Sequence, residues 1–345
     1  MTKENIILLL IFILAVFLRF YKLGSNPPGI YWDEAAIGID AYTLSENLKD
    51  QYGRSWHQLI FPSYGDYKAP VYIWLTAISV KIFGLNEFAV RFPSAFFGSL
   101  TVLLVYYLVK ELFSNFTSEE PKVTSEVFNH QSLIINHLPI ISMILLAISP
   151  WHLHFSRIGF ESNLSLFWLV LCLYLFLKGL EKGAFLILAS ISGVVAVYSY
   201  FSARVILPVI LILSTLIFLK KIWQKKYWFL TSVAIFSVLL IPLFYSSLYK
   251  QSQQLRMSAA NILSSGNSVV HSSRLIEKDN NSLISRLFYH RYYYLIREFL
   301  INYSQHFSFQ FLFLNGDSNL RHHTGFGGEL YFVLGPFLLL GRALH

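Results

Sequence analysis

Cysteine is nearly missing from this chain. Cys172 is the single thiol among 345 residues, so no intrachain disulfide can form and the loops must be held by packing. Lying in an apolar run, it reads as structural. Charge is scarce too. Only 13% of residues are Asp, Glu, Lys or Arg against 55% hydrophobic, and mean hydropathy is +0.52, which excludes an ordinary soluble domain. The formal net charge of +8 comes without a nucleic-acid-binding pattern, because the basic residues flank apolar runs or scatter through one long loop. Membrane lipids with anionic head groups suit that distribution, and no nucleic acid is expected. A small-residue cleavage site is also lacking before Pro27, so the first apolar run, from about Ile6 to Phe20, reads as an uncleaved anchor. Arg19 and Lys22 close it, where long side chains can snorkel to the interface.

Long hydrophobic runs are what the sequence has in quantity. Further spans are expected at about 90–112, 134–155, 163–180, 184–202, 205–219 and 228–248, each near the length that crosses hydrocarbon. A last run begins near Leu330 and stops at His345 after little more than half a crossing, so a partial final helix is expected. The expected fold class is all-α: a polytopic transmembrane helical bundle of about seven complete spans plus a partial last one. Residues 1–248 form the transmembrane module, which includes an outer loop over 24–88; 249–329 form an extracytoplasmic region; 330–345 start a further helix.

The segment Ala69 to Gly84 is apolar but short, and orientation decides its place. Lys220, Lys221, Lys225 and Lys226 make the densest short basic loop and are expected in the cytoplasm, with Lys178 and Lys182 two crossings earlier on the same side. With a cytoplasmic N-terminus the crossings before Lys220 must be even in number. Six satisfies this only if 69–84 lies in the interface or re-enters the membrane, giving interfacial helices in the first outer loop. Asp33, Glu34, Lys68, Arg157, Glu161, Arg204 and the 249–329 segment then share the extracytoplasmic face of a multi-pass cell-membrane protein.

Asp33-Glu34 stands out on that face, two hydrated carboxylates just past the first span. Pro27-Pro28-Gly29-Ile30-Tyr31-Trp32 approaches them, and a helix is expected from Ala35 to Leu48. They can start an active site, with Trp32 as a substrate contact, or one of them can simply cap that helix. Transfer of a sugar to a hydroxyl needs a carboxylate to take the hydroxyl proton and positive charge on the departing group. Asp33 is the candidate base, and Lys68, Arg91, Arg157 and Arg204 are candidate ligands of a lipid phosphate. Glu161 opens a span and can cap it, yet Arg157 four residues earlier offers a partner at helical spacing. A second acid could orient the acceptor, tune the base or help to hold a divalent cation.

The ordered stretches LRFYKLG, IYWDEAAIGIDAY, DYKAPVYIWLTAISVKIFG and NEFAVRFPSAFFGSLTVLLVYYLVKELF resemble the N-terminal module of the GT-C glycosyltransferases. These membrane enzymes include protein O-mannosyltransferases and the aminoarabinose transferases of lipid A. The resemblance covers 18–113 and continues over 147–180. It implies that Asp33 is the catalytic base of the Asp-Glu motif in the first extracytoplasmic loop and Glu34 its partner. Lys68 falls where the family's Lys-Pro-Pro corner meets the lipid phosphate, although Lys68-Ala69-Pro70 lacks one proline. Arg91 matches the arginine opening the next helix, and Glu161 stands where many relatives place an aspartate facing the first acid.

From 249 to 329 the chain is first polar and then aromatic, with Tyr289, Tyr292, Tyr293, Tyr294, Phe299, Tyr303, Phe307 and Phe309 suiting either interfacial helices over a site or an aromatic belt. Asn315-Gly316-Asp317-Ser318-Asn319-Leu320-Arg321-His322-His323 reads as a structured loop, similar to late loops of bacterial members of the family. Asp317, Arg321 and His322 are second-tier substrate contacts; the adjacent histidines lack the spacing of a metal pair.

The expected activity is thus transfer of a sugar from a polyprenyl-phosphate-linked donor to a hydroxyl of a lipid, glycan or protein, with inversion. No cytoplasmic domain for a soluble nucleotide sugar is apparent. The alternative is a secondary transporter or a lipid-binding protein without transferase activity, but no inverted repeat is visible and the charges gather at one face rather than the midplane.

Overall fold

In a computed structural model that describes residues 2–117, 127–260, 267–319, 321–322 and 326–335, the apolar runs become helices. The chain divides into Met1–Ser246 and Ser247–His345. The first unit starts with α1 (Lys3–Phe20), followed by α2 (Trp32–Asn47), a hairpin of β1 (Phe61–Ser63) and β2 (Asp66–Lys68), and α3 (Pro70–Phe83). It continues through α4 (Glu87–Thr117), α5 (Val127–Ile148), α6 (Pro150–Ser156), α7 (Glu161–Glu181), α8 (Ala184–Ser199), α9 (Ala203–Ile217), α10 (Leu219–Gln224) and α11 (Lys226–Tyr245).

Among the described residues, three helices are long and apolar enough to cross a membrane, namely α7, α11 and Glu87–Asn115 within α4. His137–Ile148 and α6, bent by 59° at the break between them, make a fourth if they act as one span. The expected count of about seven is therefore not reached on length and composition. α8 has 16 residues and α9 has 15, about 24 and 22 Å of helix against a core of about 30 Å. α1 carries Lys3, Glu4 and Arg19 within its 18 residues.

α2 and α3 also fall short of a crossing, with 16 and 14 residues, and both lie between α1 and α4. Helices thus occupy the first loop, as the sequence pattern anticipated, but the hairpin beside them departs from a wholly helical reading. Its two-residue turn Tyr64-Gly65 has positive φ at both positions, 37° and 79°, the geometry that suits tight antiparallel connections. The register pairs Phe61 with Lys68, which delivers Lys68 to the start of α3.

Among the described residues two larger apolar cores hold this unit together, and Ala41, Val80 and Ala89 form a smaller cluster. Leu8, Ile11 and Ala15 of α1 meet Val102 and Tyr106 of α4 and Met143 and Ala147 of α5. Ile37 and Leu44 of α2, Phe61 of β1, Tyr72 and Ile73 of α3, Val90 of α4 and Leu164 of α7 form the second. The second core joins the loop helices to two spans and gives the neighbouring polar side chains a rigid floor.

Arg19 does not snorkel. It is wholly buried and donates to the carbonyls of Leu146 (3.2 Å) and Ala147 (3.2 Å), with its Nη2 2.7 Å from His152 Nδ1. It satisfies the exposed end of α5 where Pro150 breaks the helix, and a buried cation gains more there than one left in an apolar surround.

The second unit contains α12 (Ser247–Ala260), α13 (Asn267–Lys278), α14 (Leu283–Phe288) and α15 (Arg291–Gln305). His271 of α13 stacks on Tyr294 of α15 at 5.0 Å, and Ser272 Oγ donates to the Tyr289 carbonyl. Tyr292, Tyr293, Phe299 and Tyr303 are exposed along α15, as is Phe307 just after it. The expected final helix falls largely outside the described residues, which end at 335.

Candidate functional site

The two adjacent acids face different surroundings, because consecutive residues on a helix point about 100° apart. α2 starts at Trp32, three residues before its expected start, with Tyr31 extended before it. The Tyr31 N–H donates to Glu34 Oε2 at 3.0 Å, so Glu34 is indeed a cap. It is far more than that. Glu34 is 1% exposed, takes the Gly159 N–H at 2.8 Å, and meets Arg91 through Nε–Oε1 at 2.8 Å and Nη2–Oε2 at 3.0 Å.

Arg91 is equally buried, and its remaining donors reach the carbonyls of Leu23 (3.2 Å), Pro27 (2.9 Å) and Gly29 (2.5 Å). Each of the five guanidinium N–H groups therefore has a protein acceptor. The pair ties α2, α4, the 23–29 turn and the 159 loop into one body.

Asp33 points elsewhere, with its side chain 15% exposed and Oδ1 2.7 Å from Lys68 Nζ. Lys68 is buried; Asp66 Oδ2 stands 3.7 Å from its ammonium. Burial alone would lower the Lys68 pKa, but the carboxylates of Glu161, Asp33 and Asp66 outweigh it and raise the value above that of a free lysine. The ammonium stays charged among three acids. Asp66 was missed by sequence reasoning; it lies two residues from Lys68 on one strand and so on the same face, a signal available once the hairpin is recognised.

Glu161 starts α7 and is buried. Its Oε1 accepts the Ala69 N–H at 2.6 Å, which fixes the corner between β2 and α3. Ala69 is extended and Pro70 occupies the first helical turn, where its missing N–H costs nothing. A proline at 69 would have no N–H to give, so the Glu161 contact depends on the residue at 69 keeping its amide.

The expected Arg157–Glu161 pairing on one helix is corrected by the break at 157–160, since α6 stops at Ser156 and α7 begins at Glu161. Arg157 instead donates to the carbonyls of Leu18 (2.6 Å), Arg19 (3.3 Å), Tyr21 (2.8 Å) and Asn26 (2.8 Å), closing the end of α1. Burial, and then the charge of Arg91, lower its pKa. Arg204 opens α9 at the α8 junction, its Nε 3.4 Å from the Val197 carbonyl and its guanidinium over the Phe201 ring at 4.0 Å. Trp32 is 57% exposed beside Asp33 and packs edge-on to Tyr31 at 5.7 Å.

Asp317, Arg321 and His322 belong to the second unit. Asp317 Oδ2 is 3.1 Å from His322 Nδ1, its Oδ1 takes the Asn319 N–H at 2.8 Å, and its own N–H goes to Glu329 at 3.0 Å. Burial would raise the Asp317 pKa, but the Asn319 amide and His322 outweigh it and lower the value. The Arg321 N–H donates to Asn319 Oδ1 at 3.1 Å. The loop is structured as expected; His323 and Gly325 lie outside the described residues. Among the described residues no three His, Cys, Asp or Glu side chains converge as a metal site requires, and the positive charge among Asp33, Asp66 and Glu161 is that of Lys68 itself.

Apolar helices around a buried ammonium ringed by carboxylates, of which Asp33 and Asp66 reach solvent, define a helical membrane protein with a charged polar site. Within that class, residues 9–118 match the family model described as dolichyl-phosphate-mannose-protein mannosyltransferase. The matched stretch runs from within α1 to the end of α4 and takes in Asp33, Glu34, Lys68 and Arg91; Arg157 and Glu161 lie beyond it. The match agrees with the GT-C resemblance of residues 18–113. No curated protein matches the chain.

Proposed function

We propose that this chain is a membrane glycosyltransferase, moving a sugar from a polyprenyl-phosphate donor to an acceptor hydroxyl at the outer face of the cell membrane with inversion. The 2.7 Å contact between Asp33 and the buried Lys68 ammonium carries the reading, because it sets a proton acceptor beside a phosphate ligand. A lipid phosphate at Lys68 draws the ammonium from Asp33 and leaves that carboxylate to act as base. The acceptor oxygen then bonds to the anomeric carbon as the bond from that carbon to the phosphate oxygen breaks. The hydroxyl proton goes to Asp33, and the new phosphate charge is held by Lys68.

Glu161 holds the Lys68 corner through Ala69, and the exposed face of Trp32 suits the sugar or the acceptor. Glu34 and Arg91 are reassigned from direct chemistry to holding the loop, since their hydrogen-bonding capacity is spent on the protein. Arg157 and Arg204 serve the ends of α1 and α8. The acceptor, whether lipid, glycan or protein, follows from the Ser247–His345 unit in this reading.

Seven crossings are proposed through α1, α4, the bent α5–α6 pair, α7, α8, α9 and α11, with α2 and α3 at the interface. The shortness of α8 and α9 is met by local thinning of the bilayer. This places Lys220 in the cytoplasm after six crossings, along with the N-terminus. Binding of a polyprenyl phosphate to the chain in nanodiscs tests the donor site. Saturable binding weakened at least tenfold by Lys68→Ala, but unaltered by Arg204→Gln, supports it; binding indifferent to Lys68→Ala moves the phosphate elsewhere.

A further inference from the structure

At the opposite end of the spans from Asp33, α7, α8, α9 and α11 surround an apolar cavity of about 320 Å³, within the range that holds small-molecule ligands. Its lining runs along α11 from Phe229 to Phe236, about 10 Å of helix. The hydroxyls of Ser190 and Ser232 on its wall are turned back to their own helices, onto the carbonyls of Ile187 (2.8 Å) and Phe229 (2.7 Å). They offer a ligand little, and apart from Thr215 and Cys172 the rest of the wall is hydrocarbon. Ile212, Leu216 and Val233 are exposed where the cavity opens sideways between α9 and α11, so in a membrane it opens to lipid rather than to water.

The same end is basic. Lys182 joins α7 to α8, Lys220 and Lys221 lie on α10, and Lys225 and Lys226 lead into α11 three residues before Phe229. Trp228 packs so closely on Gly183 that a Cβ there would meet its ring at 2.3 Å, which brings the α7–α8 turn and the start of α11 together. Glu111 is taken by Lys178 at 2.8 Å, which among the described residues of α4 and α7 at this end leaves Glu181. Trp223 and Tyr227 are exposed beside Lys226, whose ammonium lies 5.7 and 5.3 Å from their rings, the amphipathic side chains that settle at head-group level.

We infer that this end of the spans is a binding site for one anionic glycerophospholipid, with an acyl chain in the α7–α8–α9–α11 cavity and its phosphate on the lysines around α10. Both halves are needed: hydrocarbon fills the cavity, and a negative head group complements the basic rim. The site is distinct from the donor site, and it stands whether or not the chain transfers sugar.

The test uses the full chain, delipidated in detergent and titrated with phosphatidylglycerol or phosphatidylcholine carrying brominated acyl chains, which quench the Trp228 and Trp223 emission. The expected result is saturable quenching at concentrations at least tenfold lower for phosphatidylglycerol. Lys182→Gln/Lys220→Gln/Lys226→Gln, all at exposed positions, should abolish that preference, and Ala189→Phe should abolish saturable quenching by filling the cavity. Glycerol phosphate, which has the head-group charge without the chains, should not compete; competition would mean a phosphate site independent of the cavity and would overturn the inference. Equal quenching by the two lipids, or a preference retained in the triple lysine variant, would overturn it too, and that variant keeps the test decisive if Ala189→Phe misfolds.

Discussion

Ala69→Pro separates what the Lys68 corner owes to its backbone from what it owes to Glu161. Ala69 has φ −78° and ψ 151°, which a proline adopts without strain, and Lys68 before it ends a strand, the conformation a following proline favours. The substitution therefore removes the N–H that meets Glu161 at 2.6 Å and sets a ring carbon in its place. A hydrogen bond to a charged group contributes about 1.5–3 kcal/mol. Restricting the unfolded chain returns about 0.4–1 kcal/mol, so the net loss is about 1–2 kcal/mol, or roughly 5–30-fold in the ratio of folded to unfolded protein. Reversible unfolding in mixed micelles, followed by tryptophan fluorescence, measures it in Ala69→Pro, Glu161→Ala and the double variant. The two substitutions should couple by about 1.5–3 kcal/mol, since the gain from restricting the unfolded chain cancels in the cycle. Additivity to within about 0.5 kcal/mol would refute the claim that Glu161 acts on this corner through the Ala69 amide.

Arg91→Lys should lower stability by about 3–5 kcal/mol, since an ammonium cannot serve Glu34 and three carbonyls at once; an unchanged unfolding midpoint would deny the clamp. Asp40 of α2 is buried, with Oδ1 accepting the Gln51 N–H at 3.1 Å and no hydrogen-bond partner at Oδ2. Burial is the main cause of its pKa being raised to about 6; the Gln51 bond opposes this and the Asp50 charge adds to it. The folded state then holds an extra proton between the ordinary carboxylate value and pH 6, so stability falls as pH rises through that window, by about 3 kcal/mol at most. Asp40→Asn should accordingly raise the unfolding midpoint at pH 7.5 relative to wild type but not at pH 4, and a difference independent of pH would contradict this. Gly98→Ala places a Cβ 2.3 Å from Ser156 Oγ and 2.8 Å from its Cβ, and should cost about 1–3 kcal/mol by overpacking α4 against α6; a neutral effect on thermal unfolding would deny that approach.

Helices such as α4, α7 and α11 were legible because 20 or more largely apolar residues run unbroken, and composition alone marks such runs. The helices α8 and α9 are shorter than the apolar runs suggested, because apolar extent does not register the turns at Tyr200 and Phe218. Local pattern misled at Arg157 and Glu161, whose spacing of four means a shared face only inside a helix, and the chain breaks there. Arg19 looked free to snorkel because its partners, the carbonyls of Leu146 and Ala147, lie more than 120 residues away. Asp33 was visible as a candidate at once, whereas its separation in role from Glu34 was not. That separation depends on Arg91 and Gly159, which reach Glu34 from α4 and the 157–160 turn, and no local rule joins those positions.

Turnover of the Asp33→Asn variant bears most directly on the central claim. The chain, reconstituted with polyprenyl-phosphate monosaccharides and a panel of hydroxyl acceptors, should transfer sugar in wild-type form. Asp33→Asn should bind a polyprenyl phosphate as wild type does while its turnover falls by about 10²–10⁴-fold, the scale of a lost general base. Near-normal turnover in Asp33→Asn would contradict the account, because the carboxylate beside Lys68 would then not be the proton acceptor.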